Sequence, residues 1–98
     1  ITIPDSVTGI GDHAFYKCTS LTSVYITDIA SWCDIMFGNP EANPLSNAAN
    51  LYLNGELVTE LVTPESVRYI RDNTFYGCTG FTSVNIPDTV MSIGERAF

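Results

Sequence analysis

Apolar residues recur along this chain in a pattern that itself repeats. Residues 4–26 and 64–86 align without gaps, and a third copy begins at residue 87. The prolines that open the three copies, Pro4, Pro64 and Pro87, lie 60 and 23 residues apart. A fixed period in the twenties is typical of a solenoid, in which each repeat packs only on its neighbours.

The apolar positions shared by the copies predict the core of each repeat. They carry Val, Ile, Leu or Phe at the same offset, while most residues between them are polar. These positions are Val7/Val67/Val90, Ile10/Ile70/Ile93, Phe15/Phe75/Phe98, Leu21/Phe81, Val24/Val84 and Ile26/Ile86.

Two kinds of element are expected in each repeat. The alternation at Val24, Tyr25 and Ile26 predicts a short strand with one face inward, and the proline close behind it cannot continue a ladder. A second extended segment reaches Gly11, and the acidic residue Asp12 then opens a short helical turn. Stacked repeats therefore form an α/β solenoid, with short parallel strands on one face and short helical turns on the other.

Residues 27–60 interrupt this regularity, because the spacing from Ile26 to Thr63 is 37 instead of 23. Apolar residues at helical spacing predict a helix over 28–38, capped by Asp28 and ended by Gly38. The Asn-Pro pairs that follow predict a loop.

Asn54-Gly55 lies between short apolar runs and predicts a β-hairpin, after which residues 58–61 realign with 21–24. We expect this helix-plus-hairpin insert to protrude from the edge of the stack. Its Trp32, Met36 and Phe37 are expected to fill the widened repeat; the alternative is an aromatic ligand patch.

Composition restricts the function classes. The 98 residues, 45% of them hydrophobic and with net charge −7, suit one ordered domain. No run of about 18 apolar residues exists to span a membrane, and the four Lys and Arg do not cluster as nucleic-acid binding requires. Both ends cut through a repeat, so we expect a fragment of a longer protein with open ends that can self-associate.

No residue pattern in the chain indicates catalysis, a cofactor or a metal. Cys18 and Cys78 share a repeat position that should point inward, roughly 10 Å apart, which is beyond the limit of about 7 Å for a disulfide. His13 aligns with Asn73 and Arg96, which predicts a solvated surface position. Asp5, Glu65 and Asp88 share one repeat position, but no neighbouring acidic residue completes the six or more oxygen ligands that calcium takes.

The motifs I-P-D-S-V-T-x-I-G, A-F-x-x-C and L-T-S-V over residues 1–26 and 61–98 resemble leucine-rich repeats, most closely the BspA-like class. The resemblance implies a right-handed superhelix and a bacterial cell-surface or secreted setting. It also implies a non-enzymatic module for adhesion to a protein or glycoprotein on a host or neighbouring cell. A structural spacer that displays another domain is the alternative.

In such repeats the outward strand positions form the binding face. This face is mostly small and hydroxylated, and Tyr25 is its one large anchor. The adjacent hairpin could extend it through Tyr52. The candidate binding residues are Thr22, Ser23, Tyr25, Thr59, Glu60, Val62, Thr82, Ser83, Asn85 and Tyr52.

Overall fold

The computed structural model describes all residues 1–98 and contains short strands with two short helices. The strands are β1 Gly9–Ile10, β2 Val24–Ile26, β3 Met36–Phe37, β4 Leu51–Leu53, β5 Glu56–Leu57, β6 Glu60–Val62, β7 Tyr69–Ile70, β8 Ser83–Asn85 and β9 Ser92–Ile93. The helices are α1 Ile29–Cys33 and α2 Leu45–Ala48, with a 3₁₀ turn at Pro40–Ala42 between them.

Parallel strand pairs stack the repeats on two sides of the molecule. On one side β2 pairs with β4, and β6 pairs with β8. On the other side β1 pairs with β3, and β7 pairs with β9. Leu61 lies opposite Val84, the repeat equivalent of Val24, so the predicted realignment after the insert is confirmed.

The second side carries turns at 12–17 and 72–77 where helical turns were predicted. Each of these turns contains two residues with left-handed backbone, His13 and Lys17 in the first and Asn73 and Gly77 in the second. A right-handed helix cannot contain such residues, so the helical prediction is wrong here. Asn73 is also buried, so this position is not always solvated, and what its occupants share is the backbone conformation.

The hairpin is confirmed and changes the sheet. Asn54 and Gly55 have φ of 50° and 85°, as a type I′ turn requires, and β5 runs antiparallel to β4. The strand β6 pairs with β8 but not with β5, and β7 does not pair with β3. Strand pairing is therefore interrupted on both sides, between an N-terminal half (residues 1–57) and a C-terminal half (residues 58–98).

The helix predicted over 28–38 is shorter than expected. Asp28 caps it as predicted: the Ser31 hydroxyl and N–H both donate to its carboxylate and lower its pKa. The helix ends at Cys33, however, and β3 follows because the N–H groups of Met36 and Gly38 donate to β1 and its flank, both at 3.0 Å.

The predicted loop after Gly38 is also wrong. Asn39 caps the 3₁₀ turn by accepting from the Ala42 N–H, and Pro40 suits the first position of such a turn. The helix α2 follows directly. Nine of the 17 core residues fall within 27–60, so much of the insert packs in the core and does not protrude as predicted. Trp32 and Phe37 are buried as predicted, whereas Met36 is 63% exposed and does not fill the repeat.

Inner and outer copies of a repeat position differ in burial. Ile70 and Phe75 are at most 1% exposed, whereas their equivalents in the last repeat, Ile93 and Phe98, are about half exposed. Neighbouring repeats on both sides are therefore what buries these positions.

Candidate recognition surface

An aromatic pair lies on the outward face of the first strand group. Tyr25 is 41% exposed between the buried Val24 and Ile26, and it lies directly opposite Tyr52 in the β2–β4 register. The two ring centroids are 5.0 Å apart with planes inclined by 33°. The structure thus joins two candidates that lie 27 residues apart in the sequence.

The other candidates extend this surface on either side of the pair. Thr22 and Ser23 precede Tyr25, and their carbonyls accept from the Asn50 amide and the N-terminal amine. Across the hairpin, Glu60 lies opposite Ser83 and Val62 opposite Asn85 in the β6–β8 register. Thr82 donates both its N–H and its hydroxyl to the carbonyl of Thr59. We call all ten candidates the strand face; Ser23 and Tyr52 are half-buried and the other eight are exposed.

A hollow of about 290 Å³ divides the strand face between β5 and β6. Leu57, which lies opposite Tyr52, and Val62 are its exposed apolar residues, and Glu56 and Glu60 are its only charged ones. Sequence reasoning predicted the hairpin but named only Tyr52 from it, so it missed Leu57 and Glu56 on its second strand. The Asn-Gly turn was the signal that β5 would lie beside β4.

The one histidine of the chain, His13, lies in the turn of the first repeat. The His13 ring lies 3.3 Å from the Asn39 amide and packs edge-on against Tyr16. No three His, Cys, Asp or Glu side chains lie close enough together to hold a metal ion. Neither α1 nor α2 has the length or the hydropathy of a membrane-spanning helix.

The three cysteines are free, but their burial differs from the prediction. Cys18 is exposed and Cys78 is half-buried. Only Cys33 is fully buried, and burial raises the pKa of its thiol to about 12, with Asp34 and Asp28 adding to the effect. Burial also raises the pKa of Cys78.

Thiol labelling with a disulfide reagent at pH 8 should therefore proceed in steps. We expect Cys18 to react fastest, Cys78 more slowly and Cys33 only after unfolding, since the thiolate is the reactive form. Stability should fall as the pH rises above 9, because the unfolded Cys33 thiol then loses its proton while the buried thiol keeps it. Rapid labelling of all three thiols in the folded protein would contradict this order.

A family model for the BspA type leucine-rich repeat region matches residues 1–42 and 47–98 in six copies. No curated protein and no solved structure matches the chain at a significant level. Leucine-rich repeats of this type are generally non-enzymatic protein-interaction modules and are typically surface-associated in bacteria. The match includes most of the insert and covers nearly the whole chain, which therefore belongs to the BspA-type leucine-rich repeat family.

Proposed function

We propose that this chain is an adhesion module of a bacterial surface protein, and that its strand face binds a protein or glycoprotein on a host or neighbouring cell. The observation that carries the proposal is the Tyr25–Tyr52 pair on the strand face, in which Tyr25 is exposed and packs against the half-buried Tyr52. Family membership supports a role in protein interaction.

The physical properties of the pair suit this role. A tyrosine offers a large contact area with few rotatable bonds, so it loses little conformational entropy when a partner binds. The ring of Tyr52 already packs against Tyr25, which holds the pair in place before binding. We also propose that the repeats wind as a right-handed superhelix. This would make the strand face concave, so that a bound partner would surround the pair and exclude water from it.

Replacing Tyr25 by alanine should weaken binding about 30-fold, since loss of an interfacial hot spot costs about 2 kcal/mol or more. The measurement is surface plasmon resonance against a panel of immobilised surface glycoproteins. Tyr16→Ala is the matched control, because Tyr16 is comparably exposed but lies in the turn of the first repeat. The affinity of the Tyr16→Ala variant should differ less than twofold from that of the unmodified chain.

Equal losses of affinity in Tyr25→Ala and Tyr16→Ala would contradict binding through the strand face. Failure of the unmodified chain to bind any panel member would instead favour a spacer that displays another domain.

A further inference from the structure

A cleft separates the two halves of the molecule on the side that carries β1, β3, β7 and β9. Met36 and Phe37 form one wall and Tyr69 and Arg71 the other, around a volume of about 310 Å³. A second hollow of about 410 Å³ extends past Arg68 toward α1, and Tyr69 and Arg71 line both hollows. The cleft exists because no ladder joins β3 to β7.

The backbone at the cleft presents two strand edges. The residues on either side of Phe37 donate their N–H groups to the β1 segment, both at 3.0 Å. The residues on either side of Tyr69 accept N–H groups from the β9 segment, at 2.6 and 2.7 Å. Bonding residues alternate along a parallel pair. The peptide groups of Phe37 and Tyr69 are therefore directed away from those partners and toward the cleft.

The charges at the cleft are unusual for this acidic chain. Arg68 and Arg71 are two of only four Lys and Arg residues, and neither forms an ion pair. Among the nearby acids, Asp72 accepts the N–H of Glu95 at 2.8 Å, while Asp34 lines the far end of the second hollow. Both guanidinium groups are therefore available to an incoming acidic group.

We propose that this cleft binds an extended acidic segment of a partner protein by strand addition. Peptide groups of the segment bond to Phe37 and Tyr69 and bridge β3 and β7, as in other β-augmentation complexes. Acidic side chains of the segment pair with Arg68 and Arg71, and such charge-assisted bonds are among the stronger ones. This site is separate from the strand face and does not depend on the function proposed for it.

The net charge of −7 opposes an acidic ligand, but this repulsion is screened. At physiological ionic strength the Debye length is about 8 Å, so acidic residues on remote repeats contribute little at the cleft. Arg68 and Arg71 are both exposed, and we expect their direct contacts with the acidic side chains to outweigh this screened repulsion.

The test titrates the blocked peptide acetyl-Glu-Val-Glu-Val-Glu-amide into the isotopically labelled chain and follows backbone amide signals by NMR. The largest shifts should fall on Phe37 and Tyr69. Arg71→Gln should weaken binding about fivefold, the loss expected for an exposed ion pair of about 1 kcal/mol. Lys17→Gln removes the same charge from the first repeat and should change affinity less than twofold.

A second peptide, acetyl-Glu-Pro-Glu-Pro-Glu-amide, keeps the charges but lacks two N–H donors. It should bind about tenfold more weakly if strand addition contributes. Equal binding of both peptides, equal effects of Arg71→Gln and Lys17→Gln, or shifts outside the cleft would overturn the proposal. Absence of shifts at millimolar peptide would also overturn it. So would stronger shifts at the same amides with glucuronate, which supplies a carboxylate but no peptide groups.

Discussion

Replacing Trp32 by alanine is expected to lower the free energy of unfolding by about 4 kcal/mol, within the range for removing a buried aromatic side chain. Trp32 is 1% exposed, and its ring centroid lies 5.4 Å from that of Phe37. Its Nε1 donates to the carbonyl of Thr74 at 2.8 Å. The substitution thus opens a cavity and removes a contact between the two halves of the molecule.

Urea unfolding followed by circular dichroism measures this change. Met36→Ala is the matched control in the same segment, because Met36 is 63% exposed, and it should cost less than about 0.5 kcal/mol. Trp32→Phe keeps most of the packing but loses the hydrogen bond, so its cost should fall between the two. A Trp32→Ala protein as stable as the Met36→Ala control would contradict the assigned role.

Replacing Asn43 by aspartate should cost about 3 kcal/mol, although the side chain keeps its shape. Asn43 is fully buried, and its Nδ2 donates to the carbonyls of Asn73 at 2.7 Å and Thr74 at 3.0 Å. Its Oδ1 accepts the N–H of Leu45 at 2.8 Å. A carboxylate cannot donate, so both of these hydrogen bonds are lost, each worth about 0.5–1.5 kcal/mol. The substitution also buries a charge beside two carbonyl oxygens, which adds to the cost.

Asn50→Asp is the control for this substitution. Asn50 is exposed, and its amide reaches the Thr22 carbonyl at a longer distance of 3.4 Å. We expect a change of less than about 0.5 kcal/mol there. If the two aspartate variants unfold at the same urea concentration, the Asn43 bonds do not hold the halves together.

The side chains of Trp32 and Asn43 take the place of backbone hydrogen bonds at the junction between the two halves. Between the first two repeats the Phe15 N–H donates to the Glu41 carbonyl, and between the last two the Phe75 N–H donates to the Ala97 carbonyl. At the middle junction Trp32 and Asn43 supply the donors instead. The middle segment is therefore part of the core that joins the two halves.

The repeat made much of this fold predictable from sequence. The strand at Val24–Ile26, the Asn54-Gly55 turn and the return of register at Leu61 all follow from local patterns or from comparing copies. The prediction of one helix over 28–38 failed where the same apolar residues fit both the helical period of 3.6 and the strand period of 2. Apolar residues at 32, 33, 36 and 37 fit one helical face, and the last two also fit a strand with Phe37 inward.

Contacts between distant residues could not be predicted in the same way. Trp32 and Thr74 are 42 residues apart, and nothing in either local sequence specifies their hydrogen bond. The burial of a cysteine likewise depends on what lies over it, so Cys18 and Cys78 differ despite sharing a repeat position. Tyr25 pairs with Tyr52, 27 residues further along the chain. The repeat period of 23 would have placed its partner elsewhere, so this pair could not be predicted from the period.

Because the insert is mostly internal, the strand face is open to a partner, and recognition through this face is the central functional claim. Oxidative footprinting of the chain in complex with a bound panel glycoprotein tests it most directly. We predict that Tyr25 and Tyr52 become protected from oxidation while Tyr16 keeps its free-state rate. Protection of Tyr16 with unchanged oxidation of Tyr25 and Tyr52 would contradict the claim.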